Sequence, residues 1–186
     1  MLDVKGWLAA PPSVESARPG ACAVCGEASR PAGGGLGLHG HGLRDRQLRG
    51  PLDPDGPPTW VVIACRRYLC VGCAALMTVV PRGVAPRRHY GHAAIVMAFA
   101  LWAIVHEPVA EVRRRVCAWR VSHEAPARWP ALARWARSAR DGFGDTRMTL
   151  ETAAARAAQI AIGRAPPHLR HEPRWAQAFA GGSAMP

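Results

Sequence analysis

Four of the six cysteines in this 186-residue chain stand in two pairs with the spacing Cys-x-x-Cys. The first is Cys22-Ala23-Val24-Cys25, followed by Gly26, and the second is Cys70-Val71-Gly72-Cys73. In such a turn the two sulfurs and the amides between them converge on one point. Two turns together supply four soft thiolates, the ligand set of a tetrahedral zinc ion. Four protein ligands leave no position for water or substrate, so a site of this kind is structural. The expectation is one structural Zn²⁺ per chain, held by Cys22, Cys25, Cys70 and Cys73. Redox thiols or an iron–sulfur centre are the other uses of the same spacing.

The remaining reactive side chains give weaker signals. Arg66 and Arg67 adjoin the second pair. They either offset the negative charge of four thiolates or meet a phosphate. Cys65 ends a strand-like run and reads as a buried free thiol, with a substitute ligand role as the alternative. Cys117 falls in a helical stretch and reads as a small apolar core residue. His39 and His41, bracketed by glycines, could bind metal or activate water in a nuclease. No paired carboxylates accompany them, so the exposed-loop reading is preferred. No nucleophile elbow, Walker loop, dinucleotide fingerprint or metalloprotease helix occurs. The aspartates form no acidic triad of the kind two-metal strand transfer needs. A binding protein is therefore expected, not an enzyme.

Composition narrows the partner. The net charge is +11 and the isoelectric point about 10.8, which favours a polyanion, most simply DNA. Lys5 is the only lysine, so the charge is carried by arginine, which forks onto phosphates and guanine edges. Residues 81–186 hold 16 of the 24 basic side chains but 7 of the 13 acidic ones, so the second half carries most of the charge. No apolar signal segment precedes the cysteines. The longest apolar run, residues 93–105, falls short of the ~20 residues a membrane span needs. A cytoplasmic protein without membrane contact is expected.

The elements that must position these groups divide into two regions. Residues 1–20 hold three prolines and read as a loosely ordered leader, with Trp7 and Leu8 available to dock. Residues 21–85 read as a small β domain. Within it, Trp60-Val61-Val62-Ile63-Ala64 is a β-branched strand leading into the second cysteine pair. Leu76-Met77-Thr78-Val79-Val80 is a returning strand, and part of residues 36–50 supplies a third. Strand, turn and strand make the shape of a zinc ribbon. Residues 86–165 turn to alanine, arginine and helical periodicity. Helices are expected over 90–105, 108–121, 129–140 and 150–162. Residues 166–186 read as a tail with a short last turn of helix at 174–180. The fold class is thus α+β: a four-cysteine zinc ribbon followed by an all-α domain of helix-turn-helix type. In that domain the helices at 108–121 and 129–140 form the candidate pair. Arg113 and Arg114 on the first, and Arg128, Arg134, Arg137 and Arg140 around the second, are the candidate DNA contacts, with Arg66 and Arg67 on the ribbon. A plain helical bundle with a solvated arginine face is the competing reading.

These residues carry a resemblance. The runs are Cys22-x-x-Cys25-Gly26, His39-Gly40 to Leu43-Arg44-Asp45, and Arg66-Arg67-Tyr68-x-Cys70-x-x-Cys73. After them, Val79-Val80-Pro81 leads into Pro86-Arg87-Arg88-His89-Tyr90 and an apolar helix. Over residues 20–140 the chain resembles the N-terminal module of insertion-sequence transposases, and short bacterial proteins of related origin. Those modules join a four-cysteine zinc finger to helix-turn-helix segments. The resemblance implies zinc binding and recognition of DNA, with terminal repeats as the ancestral target. The acidic catalytic domain of a transposase is not matched, so strand transfer is not implied. An accessory protein or regulator is expected. The alternatives are a zinc ribbon that docks on a protein, such as a separate transposase or the transcription machinery, and a metal-dependent nuclease.

Overall fold

The computed structural model describes residues 3–119 and 129–185. Among them are six α-helices and a three-stranded antiparallel sheet, so the protein is mixed α and β. In chain order these are α1 (Val4–Ala9), β1 (Leu38–Gly50), β2 (Thr59–Cys70), β3 (Leu76–Val79), α2 (His92–Ala103), α3 (Val109–Val116), α4 (Pro130–Gly142), α5 (Leu150–Gly163) and α6 (Arg174–Ser183). No described helix is long and apolar enough to cross a membrane. The chain divides into two compact units.

The first unit comprises residues 1–47 and 62–82. Its sheet has the order β1-β2-β3. β3 returns antiparallel to β2, pairing Arg66 with Val79, Arg67 with Thr78, Tyr68 with Met77 and Leu69 with Leu76. Burial along β2 alternates at Ile63 and Cys65, then slips by one residue so that Tyr68 and Cys70 are the next buried positions. Arg66 and Arg67 occupy the slip, which leaves both half-buried. The N-terminal segment differs from the loosely ordered leader expected of its prolines. Asp3 caps α1, its Oδ1 accepting from the Gly6 amide at 2.8 Å. Trp7 is buried and donates Nε1–H to the Ala64 carbonyl at 3.0 Å. Further along, Arg66 Nε donates to the Pro12 carbonyl at 3.0 Å, and the Tyr68 hydroxyl to the Val14 carbonyl at 2.6 Å. Side chains of β2 thus satisfy the carbonyls of a segment too rich in proline to pair by its own amides.

The second unit comprises residues 48–61 and 83–186. α2 is its axis. Ala94, Val96, Met97, Phe99 and Leu101 are all buried, and the helix is apolar on every side, the pattern of a helix surrounded by partners. α3, α4, α5 and α6 all pack against it. α3 stops at Val116, five residues before the periodicity ends, so Cys117 follows the helix instead of lying in it. The turn between α3 and α4, including Arg128, lies outside the described residues.

α6 runs three residues beyond the short last turn of helix expected at 174–180. It is a full helix with Ala176, Ala178, Phe179, Gly181 and Gly182 buried, packed on α2 and α5. Buried Gln177 anchors its start, donating Nε2–H to the carbonyls of Arg170 at 3.1 Å and Glu172 at 2.7 Å. Ala153, Ala154, Ala158 and Ala161 give α5 a facing stripe of small side chains. A methyl group added at Gly181 would sit 1.8 Å from the Ala161 oxygen, and one at Gly182 would sit 2.5 Å from Val96 Cγ2 and 2.8 Å from Ala93 Cα. The helices can be this close only because those methyls are missing. Gly181→Ala is accordingly expected to destabilise this unit by about 2–3 kcal/mol, measured by denaturant unfolding. Gly163→Ala, where the added methyl meets nothing within 4 Å, is expected to leave stability unchanged or slightly raised.

Candidate metal centre

Both cysteine turns are built on one backbone plan. In the first, the Gly26 amide donates to the Cys22 carbonyl at 2.9 Å and the Cys22 amide to the Glu27 carbonyl at 2.8 Å. In the second, the Ala74 amide donates to the Cys70 carbonyl at 2.9 Å and the Cys70 amide to the Ala75 carbonyl at 3.0 Å. Each turn then needs a left-handed residue directly after its second cysteine. Gly26 supplies φ +77° in one, and Ala74 is held at φ +56° in the other. Glycine adopts that conformation freely, whereas alanine is strained there. The Val71 amide donates to the Gly37 carbonyl at 3.0 Å, tying the second turn to the chain that enters β1. Fully buried Leu38 sits between Cys22 and Cys70, and Ala75 and Met77 close the cluster.

The four sulfurs converge. Cys22 Sγ lies 3.8 Å from Cys73 Sγ, and Cys25 Sγ lies 3.7 Å from Cys70 Sγ. All four fall within 4.8 Å of one another. A tetrahedron with metal–sulfur bonds of about 2.3 Å has edges of about 3.8 Å. The group can therefore hold one metal ion with its coordination complete. None of the four cysteines is in a disulfide. Among the described residues this is the only cluster of three or more histidine, cysteine or acidic side chains so placed.

Electrostatics at the centre point the same way. The amides of Cys25 and Val24 favour the Cys22 thiolate and hold its pKa down to about 6. The Glu27 amide does the same for Cys25, yet the thiols of Cys73, Cys22 and Cys70, with burial, outweigh it and push that group up to about 12. At Cys73 the Ala75 amide and the Cys25 thiol pull downward, but burial and the Cys70 and Cys22 thiols prevail and the pKa is raised. One sulfur ionises readily and its neighbours then resist. Four thiolates at this spacing require a cation among them.

Other candidate residues fall elsewhere. Cys65 is buried outside the cluster, its thiol pushed up by burial, with Ile63 O 3.7 Å away. His39 Nε2 lies 3.0 Å from the Leu36 carbonyl, and neither His39 nor His41 joins the cysteines. Cys117 Sγ accepts from the Tyr90 hydroxyl at 3.2 Å.

The described arginines read as DNA contacts have different surroundings. Arg66 is engaged by Pro12, and Arg67 is half-buried beside it in β2. Arg114 pairs with Glu111 one helical turn earlier, and Arg140 lies 3.6 Å from Asp141. Arg134 and Arg137 are exposed on α4. Arg113 and Arg134 come together in the wall of one open cleft in the second unit, where Arg49, Arg87 and Arg88 join them. Those three were invisible as a group in the sequence, because a strand end and a loop deliver them from distant positions. The one local sign was Arg87-Arg88-His89-Tyr90, a basic run ending in an aromatic.

Comparison with protein families, with curated proteins and with solved structures gave no match to this chain. Function has to be read from the chain's own residues.

Two outcomes follow from the paired turns. Gly26→Ala, at a position with open space around it, should cost about 1 kcal/mol of first-unit stability, and Ala74→Gly should recover a similar amount. Thermal melts of metal-loaded protein would measure both. Because binding displaces protons from the thiols, metal affinity should weaken as the pH falls. A chromogenic chelator should then strip the ion faster in acid than at neutral pH.

Proposed function

We propose that this is a zinc-dependent DNA-binding protein, an accessory factor or regulator of the mobile-element type, without strand-transfer chemistry. The observation that carries the reading is the closed four-sulfur site, which can stabilise a fold but has no position at which to bind substrate. Zinc is the natural occupant of four thiolates in tetrahedral array. Nearby Arg66 and Arg67 offset part of the resulting negative charge. The basic excess of the chain supplies the attraction to a polyanion, with Arg113, Arg134 and Arg137 as contacts in the second unit. The resemblance to transposase N-terminal modules supports the same assignment.

A second reading keeps the zinc and makes the cysteine turns a docking face for a protein. It is favoured by Val24 and Val71, the middle residues of the two turns, which are 71% and 64% exposed. Replacing both by serine leaves metal content unchanged under either reading. Under this one alone it abolishes co-purification of a protein partner.

Elemental analysis should find one zinc per chain, and chelation should unfold the first unit. On duplex DNA, log affinity should fall linearly with log salt, by about 0.9 for each phosphate neutralised. Arg134→Ala and Arg137→Ala should each flatten that slope by about one contact. A salt-independent affinity, or none at all, would rule out the DNA-binding assignment.

A further inference from the structure

The arginine-walled cleft in the second unit has a composition that a phosphate-contact patch does not explain. Its volume is about 510 Å³, within the roughly 300–1,000 Å³ of sites that take small ligands. Among the described residues lining it, five are arginine and none is acidic. Like charges gathered in a concave surface repel one another and attract an anion. The base of the cleft is aromatic. Tyr90, Trp129 and Trp135 meet edge to face, with ring centroids 4.9–6.0 Å apart, and all three are almost completely buried. They line the cleft together.

Trp119 differs from this trio. It is 58% exposed at the cleft wall, with the Arg49 guanidinium 5.4 Å from its ring centroid. That exposure leaves much of a large flat ring accessible to a ligand. Arg87 adds a second unusual feature. It is an exposed non-glycine residue at φ +54°, a conformation that costs on the order of 1 kcal/mol or more, and it holds an arginine at the cleft. Guanidinium groups beside an open indole match a ligand that carries a phosphate and a flat ring together.

We infer that this cleft binds one unpaired nucleotide, its base stacked on Trp119 and its phosphate held by Arg49, Arg87, Arg113 and Arg134. The inference rests on the nucleic-acid reading above and makes it specific. Duplex DNA keeps its bases stacked and offers only phosphate to such a cleft. A single strand or a free mononucleotide offers both groups. Stacking of a base on an aromatic side chain contributes about 1–3 kcal/mol and tolerates any base. Exposed Arg137, on the same helix as Arg134, provides for a neighbouring phosphate and favours the strand as source.

The test compares four probes by fluorescence anisotropy or competition on zinc-loaded protein: a short oligothymidylate, an abasic phosphodiester of equal length, a duplex of equal length, and thymidine monophosphate. The oligothymidylate should bind about tenfold or more tighter than the abasic strand. Trp119→Ala, at an exposed position that should not disturb folding, should erase that difference, whereas Trp119→Phe should keep part of it. Cys117 lies in the wall of the same cleft, so bound oligothymidylate should slow its alkylation by a maleimide. Competition by the mononucleotide at similar concentration identifies a free nucleotide as the ligand, and its failure beside a tight strand identifies the strand. Both results support the cleft. Equal affinity for abasic and base-bearing strands, indifference to Trp119→Ala, or an unprotected Cys117 would overturn it, even if duplex DNA binds. Loss of duplex binding alone would remove the regulator reading and leave the cleft assigned.

Discussion

Repulsion among four sulfurs governs the first unit. Cys22, Cys25, Cys70 and Cys73 hold their Sγ atoms within 4.8 Å, and a charge on one raises the cost of a charge on the next. A dication among them would add an attraction to each sulfur that outweighs the repulsion between them. Much of the local structure serves this point. The amides of Val24 and Cys25 face sulfur, Leu38 fills the space behind, and β3 returns beside β2 directly after the second turn. A metal ion bound there would join the two turns and help hold the left-handed backbone at Ala74.

The second unit solves its packing differently. Among its described residues no cluster of three or more metal-ligating side chains is placed to hold an ion. Close approach does part of the packing: Gly181 of α6 lies against Ala161 of α5, and Gly182 against Ala93 and Val96 of α2. Three of its large rings, Tyr90, Trp129 and Trp135, interlock edge to face. The same three rings line the basic cleft.

Particular residues explain what the sequence disclosed. The cysteine spacing disclosed the metal ligands because the chemistry is local to two short turns. Trp60 to Ala64 disclosed β2 through β-branching, although Arg66 and Arg67 concealed how far it runs. α2 was legible from its unbroken apolar run. α6 was legible only over 174–180, and only the neighbours of Gly181 and Gly182 in space show why glycine is needed in its last turn. The N-terminal segment read as loose because its prolines offer no pattern, and its anchors, Arg66 and Tyr68, lie more than fifty residues away. The cleft was hidden for the same reason. Arg49, Arg87, Arg113 and Trp119 share no periodicity, and tertiary structure alone makes them neighbours.

The partnership of α2 with α6 also sets an order of events. Residues 104–173 separate the two helices, so a ribosome adding roughly 5–20 residues per second exposes α2 on the order of 4–14 s before α6 exists to cover it. During that interval an all-apolar helix stands without its principal neighbour. Nascent chains of this protein should therefore engage chaperones at α2, and a stalled or prematurely ended message should yield an aggregating product instead of a smaller folded one.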